Sequence, residues 1–201
     1  KTGDTGVSML VSGKLLHKSD VICMLQSLTQ EAGLMLNRFY ISYLGGSYYN
    51  NGVLCINGKL HGLLDEEDYN YVQRLFKRTL PSFGAYFFFA PDWANNEGYH
   101  KNYIDFKGLE IIENRIAYLK TKVEPASEFV WFTEEAAIEL NLIVVKVRQI
   151  EHYYYVVLSA LYGQFTDNYT KEIFYVNSYL NRLSDYLFIL ARYIESKFNP
   201  T

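Results

Sequence analysis

Two pairs of polar residues stand among apolar neighbours in the last third of the chain. Arg148 and Glu151 lie three apart beside a stripe made by Leu140, Val144, Val147, Tyr154 and Leu158. Asn181 and Asp185 lie four apart within the apolar stretch from Tyr179 to Ile194. Helical spacing puts the members of each pair on one face. Ionised groups on a buried face are costly unless paired or turned toward a ligand. Spacing alone therefore leaves two readings, a structural polar network or a ligand site. The N-terminus adds Thr2-Gly3-Asp4-Thr5-Gly6-Val7-Ser8, followed by Gly13, Lys14 and Lys18. Glycines permit left-handed backbone and close approach, so successive amides can converge on a phosphate, with a serine hydroxyl and two lysines adding a donor and charge. It is not a P-loop, because the Gly-Lys-Ser/Thr ending is missing and no strand is expected before it. On its own the segment is weak evidence, since glycine-rich termini are usually just flexible.

The elements that must position these residues read as helices. A first helix is expected from about Asp20 to Tyr43, with Ile22, Leu25, Leu28, Ala32, Met35 and Leu36 as its stripe. A second follows Asp65, an N-cap candidate, to about Phe89 with a disturbance at Pro81. A third spans about Asp105 to Lys122. The fourth opens near Thr133, with Glu134 and Glu135 on its positive end, and continues to about Tyr162. The fifth runs from about Lys171 to Lys197. No segment alternates as a strand does, and Tyr153-Tyr154-Tyr155-Val156-Val157 continues a helical period. Glycine and asparagine around Gly45-Gly46 and Tyr48-Tyr49-Asn50-Asn51-Gly52 mark a loop. The expectation is an all-α, antiparallel five-helix bundle.

Composition narrows the classes. A chain of 201 residues, 49% hydrophobic and 20% charged, fits one domain with a real core and excludes a disordered or low-complexity chain. Nineteen Tyr and thirteen Phe are many, and tyrosine suits the edge of a core or a subunit interface. A net charge of −3 carries no footprint for nucleic acid. Cys23 and Cys55 form neither a disulfide framework nor a CxxC metal site, which favours a reducing compartment. No apolar run is long enough to suggest a membrane span. The chain opens at Lys1, with no Met, inside a motif, which leaves room for upstream residues, a targeting peptide being one option.

Taken together, these residues resemble the PduO-type ATP:cob(I)alamin adenosyltransferases. The family's opening Thr-Gly-Asp-x-Gly-x-Thr/Ser segment is matched by Thr2, Gly3, Asp4, Gly6 and Ser8, then Gly13 and Lys18. Its closing segment is matched without a mismatch from Tyr179 through Leu180, Asn181, Arg182, Leu183, Ser184, Asp185, Tyr186 and Leu187 to Phe188, then Ala191 and Arg192. Between these, Phe83-Gly84-Ala85 is similar to a Leu-Gly-Ala segment, and Phe129-Val130 to the start of a Phe-Ile/Val-Leu-Pro-Gly-Gly loop. Arg148-Gln149-Ile150-Glu151-His152 stands where the family has Arg-Arg-Ala-Glu-Arg.

The resemblance implies homotrimers of five-helix bundles with each active site between subunits. It also implies the reaction: Co(I) of a reduced corrinoid attacks C5′ of ATP, giving adenosylcobalamin and triphosphate. The nucleophile belongs to cobalamin, so the protein's tasks are alignment and charge stabilisation. Residues 1–20 would be the ATP-binding segment and 21–201 the single bundle domain. On this resemblance Lys1, Thr2, Gly3, Ser8, Met9 and Lys18 wrap the nucleotide, with Lys18 and Mg²⁺ neutralising phosphate. Arg148 contacts the triphosphate, for which a guanidinium fork is suited. Gln149, Ile150 and His152 fall in the same ATP segment, Glu151 and Asn181 fix the nucleoside end, and Asp185 orients Arg148. Phe129 with Asp185 serves cobalamin, Phe129 by displacing the lower axial ligand. Arg148, Phe129 and Asp185 are the implied catalytic set. Partners would be a reductase and a B12-dependent enzyme receiving the product, with neither nucleic acid nor membrane, in a bacterial cytoplasm or in mitochondria.

The chain also departs from the family pattern. Gln30-Glu31-Ala32 replaces an Asp-Glu-Leu run, and Asn141, Ile143 and Val144 replace a His…Ala-Arg stretch. An acid and an arginine that pair across subunits in the family are lost together, which points to a neutral interface. Gln149 and His152 replace two further arginines, and the Phe129 loop lacks its glycines. A non-catalytic ATP- or corrinoid-binding relative, acting as carrier or regulator, is therefore the second reading. A purely structural helical protein is the third.

Overall fold

The computed structural model describes residues 2–9, 15–45, 48–50, 53–55, 58–60, 63–72, 106–125, 130–161 and 167–199. Lys1, Gly13, Pro81, Phe83-Gly84-Ala85 and Phe129 lie outside them, as does the second expected helix beyond residue 72. Helix α1 spans Val21–Phe39 and continues as a π-helical turn over Tyr40–Gly45. Residues 66–72 are helical and form α2. Helices α3, α4 and α5 span Phe106–Lys120, Glu135–Leu161 and Asp167–Phe198. Helix α5 begins about one turn earlier than periodicity predicts. Among the described residues no helix is long and apolar enough to cross a membrane.

Strands exist where none is expected. Strands β1 (Val7–Met9) and β2 (Leu15–His17) form one antiparallel hairpin, and β3 (Tyr48–Asn50) and β4 (Val53–Cys55) another. Strands of three residues are too short for period-two alternation to register, so sequence pattern misses them.

Each helix has a legible local cause. Asp20 caps α1, its carboxylate accepting from the Ile22 amide at 2.9 Å. The stripe expected on α1 is its inner face: Ile22, Leu25, Ala32 and Leu36 are buried, and Leu28 and Met35 pack partly buried against the core. Phe39, Tyr43 and Leu44 extend that face through the π-helical turn. At Gly58 a Cβ would collide with the Tyr43 backbone, so glycine lets the chain approach closely enough for the Leu60 amide to reach the Tyr43 carbonyl at 3.0 Å.

Helix α4 is the central element. It packs most extensively on α5, while α1 packs on α4 and α3 on α5. Leu140, Val147, Ile150 and Tyr154 from α4 meet Leu180, Leu183, Leu187, Leu190 and Ile194 from α5 in one continuous core. Each such side chain contributes about 1.5–3 kcal/mol by leaving water. Helix α5 is also fixed in rotation from its far side. Tyr186 is buried edge-on against Tyr71 of α2 (centroids 5.5 Å apart), and the Arg115 guanidinium of α3 lies 4.8 Å above the Tyr71 ring. Arg115 pairs in turn with Glu67 at 2.6 Å and buried Asp68 at 3.4 Å. Burial pushes the Asp68 carboxyl up, and Arg115 opposes that.

The start of α4 is held by α5. The Glu195 carboxylate accepts from the Thr133 amide (3.1 Å), the Thr133 hydroxyl (2.6 Å) and the Glu134 amide (3.0 Å), while the Asn199 amide donates to it at 2.9 Å. Thr133 thus has its role at the helix start through α5. Partial burial works against the Glu195 charge, but hydrogen bonds from the Thr133 side chain, the Glu134 and Thr133 amides and Asn199 outweigh it, and its carboxyl sits below the usual glutamate range. A depressed carboxyl stabilises the fold above the unfolded-state value and loses that contribution as pH falls through the folded one. Glu195→Ala is expected to cost about 1–2 kcal/mol at pH 7. The part of the deficit that depends on the charge should be lost as pH falls through the lowered folded-state value, until both states carry the proton. Urea unfolding at a series of pH values checks this; a deficit that does not change with pH removes the carboxylate's charge from the account.

Candidate functional site

The polar residues of α4 and α5 meet along one seam. The Asn181 side-chain amide donates to the Glu151 carboxylate at 3.3 Å. One turn further along, the Asn177 amide donates to the Tyr155 hydroxyl. These two contacts fix an antiparallel register in which four residues up α4 meet four residues down α5. Carried one turn the other way, the register puts Arg148 level with Ser184 and Asp185. The seam forms because the apolar residues on either side take the core: Val147, Ile150 and Tyr154 on α4 and Leu180, Leu183 and Leu187 on α5 are buried. Arg148, Glu151 and Tyr155 then stand at one margin of that contact.

Several expected site residues come together here and others do not. Glu151 and Asn181 are joined as described. Arg148, Gln149 and His152 are exposed on neighbouring turns, and Arg148 makes no ion pair among the described residues. The expected pairing of Asp185 with Arg148 is replaced by another. Asp185 accepts from Arg182 at 3.1 Å, and Arg182 also reaches Glu113 of α3 at 3.0 Å. The cause is local, since residues three apart on one helix are surface neighbours and Arg182 is the nearer cation. Ile150 is fully buried, so its side chain belongs to the core and is unavailable to a ligand. Val144 is also buried at 1% exposure, so the position read as part of a neutral subunit interface lies within the chain's own core.

The N-terminal segment has the backbone form expected of a nest. Thr2–Thr5 make one 3₁₀ turn, and Gly6 follows at φ 76°, a left-handed conformation that a side chain would strain. Ser8 pairs with Leu16 across the hairpin, and the Lys18 amide closes it on the Gly6 carbonyl at 2.8 Å. Ser8, Met9 and Lys18 therefore sit on one small unit, with Met9 and Lys18 exposed. Leu16 anchors that unit against the core. His17 and Ser19 add a ring nitrogen–hydroxyl contact of 2.6 Å beside Lys18. Among the described residues no cluster of three or more His, Cys, Asp or Glu is placed to hold a metal.

A cobalamin adenosyltransferase family model matches residues 1–194. The chain belongs to that family. Solved structures agree in fold. A variant PduO-type ATP:corrinoid adenosyltransferase from Lactobacillus reuteri, an arginine-to-lysine variant complexed with ATP, superposes with a TM-score of 0.64 at 18% identity, covering 98% of this chain and 94% of the other. A phenylalanine-to-alanine variant from the same organism, complexed with cobalamin and ATP, gives 0.65 at 16% identity over 98% and 93%. A phenylalanine-to-histidine variant, also with cobalamin and ATP, gives 0.64 at 18% over 98% and 90%. No curated protein sequence matches the chain.

Within this family fold, motif matching finds Arg148, Glu151, Asn181 and Asp185 but not Asn177 or Tyr155, which continue the same seam. Their signal is spacing: Asn177 lies four before Asn181 and Tyr155 four after Glu151. Trp131, exposed at 79% just past the Phe129 position, is a third residue to which motif matching assigns no role. Because Glu151 and Asn181 share one hydrogen bond in a half-exposed seam, each alanine substitution is expected to cost less than about 1 kcal/mol. The double mutant should show a coupling of about 0.5 kcal/mol or more. A urea-unfolding cycle measures it, and strictly additive losses would separate the two residues energetically.

Proposed function

We propose that the chain is an ATP:corrinoid adenosyltransferase, moving the 5′-deoxyadenosyl group of ATP to Co(I) of cobalamin. The observation that carries the reading is Arg148, an exposed guanidinium without an ion pair among the described residues, level with Asp185 and one turn from the Glu151–Asn181 bond. That arrangement sits in a chain whose family model covers nearly its whole length.

In the step itself the cobalt electron pair forms the Co–C5′ bond while the C5′–O bond breaks, and its electrons leave on triphosphate. The protein supplies no nucleophile. Arg148 and Lys18 would neutralise the charge that grows on the leaving group, where a preorganised cation is most effective. Mg²⁺ would arrive on the phosphates. Amides of the Thr2–Thr5 turn, opened by Gly6, are suited to donate to phosphate oxygens. Glu151 and Asn181 would hold the ribose, so that C5′ faces the metal at near-attack distance. Phe129 would cover the lower face of the corrinoid, a dry apolar ring favouring the reduced metal.

A homotrimer with sites between subunits is part of this reading. The support is exposed apolar surface: Leu34 of α1 and Ile41 of the π-helical turn are exposed, and α4 carries a second apolar stripe in which Ile138, Leu142 and Val145 are exposed on the side away from the core. These follow the three-and-four spacing of a helix packed on both sides.

One feature favours a non-catalytic relative. Gln149 and His152 are exposed beside Arg148 at positions where the family pattern has arginines, so fewer cations face the seam. Calorimetry with ATP and with cob(II)alamin separates the readings, since a transferase binds both and a carrier only one. In an anaerobic assay following loss of Co(I) absorbance, Arg148→Ala is expected to lower turnover by about 100-fold or more. Its melting temperature should stay within about a degree of the parent's, because an exposed, unpaired side chain contributes little to stability. Undiminished turnover would remove Arg148 from the reaction.

A further inference from the structure

The seam does not end at the Glu151–Asn181 bond. Tyr155 and Asn177 continue it by a turn, and Asn177 is anomalous there. Its amide nitrogen donates to the Tyr155 hydroxyl, while its side-chain oxygen is buried and makes no hydrogen bond. A buried carbonyl without a donor forfeits the bond it had in water, a cost that selection for stability alone would remove by an apolar replacement. An acceptor kept in this state, oriented by a second side chain, is suited to a ligand that brings its own donor.

The order of groups along the seam says which donor. Arg148 stands at one end, Glu151 and Asn181 are in the middle, and Tyr155 and Asn177 stand at the other. Between Arg148 and Tyr155 the helix rises about 10 Å at about 1.5 Å per residue. A nucleoside triphosphate laid along that line with its phosphates at Arg148 and its ribose at Glu151 brings its base to Asn177. We propose that Asn177, held by Tyr155, reads the base of ATP, its side-chain oxygen accepting the exocyclic amine of adenine. An amide paired with adenine's amine edge is a familiar recognition geometry. Hypoxanthine and guanine present a carbonyl at the same position and would set two acceptors against each other. The inference rests on the transferase reading for the placement of the nucleotide, and it adds base selectivity to that reading.

The test is calorimetry of the full chain with ATP and with inosine triphosphate, alongside melting temperatures, for the parent, Asn177→Leu and Tyr155→Phe. The parent should bind ATP about tenfold more tightly than inosine triphosphate. Asn177→Leu should weaken ATP and bring the two nucleotides within about twofold, with a melting temperature equal to or above the parent's, because an unsatisfied group has been removed. Tyr155→Phe, which frees the amide to rotate without changing the volume, should reduce the preference in the same direction. A parent that favours inosine triphosphate, or an ATP preference that survives both substitutions, overturns the proposal. The adenosyl-transfer assay keeps the two readings apart. Transfer with a preference indifferent to Asn177 sinks base recognition alone. A preference that depends on Asn177 without any transfer sinks the transferase reading and leaves base recognition standing.

Discussion

The antiparallel packing of α4 on α5 governs the rest of the molecule. Its register is set by the buried set of Val147, Ile150 and Tyr154 against Leu180, Leu183 and Leu187, which close-pack and so admit one alignment. Once that alignment is fixed, the residues at the margin of the contact have no freedom to choose partners. Glu151 meets Asn181, Tyr155 meets Asn177, and Arg148 comes level with the Ser184–Asp185 turn. The chemistry-bearing side chains are therefore positioned by apolar neighbours rather than by their own bonds. This suits a reaction in which the protein aligns two substrates and contributes charge, because alignment is worth most when the positioning framework is rigid.

One end and the middle of this helix pair are reinforced by further contacts. At the α4 start, Glu195 and Asn199 of α5 gather the amides and hydroxyl of Thr133 and Glu134, and Phe132 stacks edge-on to Phe188, with ring centroids 6.0 Å apart. Arg192 donates to the Glu124 carbonyl on the other side of the 126–129 stretch. Phe188, Arg192, Glu195 and Asn199 recur at three- and four-residue intervals, so one face of the last turns of α5 holds both stems of the segment containing Phe129. At the middle of α5, Tyr186 is wedged against Tyr71 beneath Arg115. A helix pinned at three levels resists rotation, and rotation is the motion that would misalign Asn181 and Asp185.

Much of this was legible in the sequence because helices declare themselves through periodicity. The α1 stripe and the continuation of α4 through Tyr153-Tyr154-Tyr155 follow from spacing alone. The closing motif from Tyr179 to Phe188 carried the family, since ten consecutive matched residues are specific where a glycine-rich start is not. The hairpins escaped because three-residue strands leave no alternation to detect. The partner of Asp185 escaped for a different reason: a family pattern supplies residue types but not which of two nearby arginines a carboxylate meets, and Arg182 is one turn away on the same helix. Asn177 and Tyr155 escaped because they lie outside any matched motif, although their spacing extends one that was matched.

The replacement of charge around α1 and α4 follows the same logic of register. Val144 occupies a position where the family resemblance implies an arginine, and it is buried in this chain's own core. An unpaired guanidinium there would carry a desolvation cost of several kcal/mol. Charge persists at the edges of the α1–α4 contact instead, where Glu31 meets Lys146 at 2.9 Å and Arg38 meets Glu139 at 3.2 Å. Both bridges join two helices of one chain and lie along the same flank of the apolar contact, since Glu31 and Arg38, like Glu139 and Lys146, are seven residues apart. Lys146 and Glu139 are mostly buried, and the bridges orient α1 on α4 while adding modestly to stability. What the core gains in apolar packing it removes from any charged contact between subunits at residue 144. The exposed stripe of Ile138, Leu142 and Val145 beside it is apolar as well, and a surface of that kind is suited to an association driven by burial of area rather than by ion pairing.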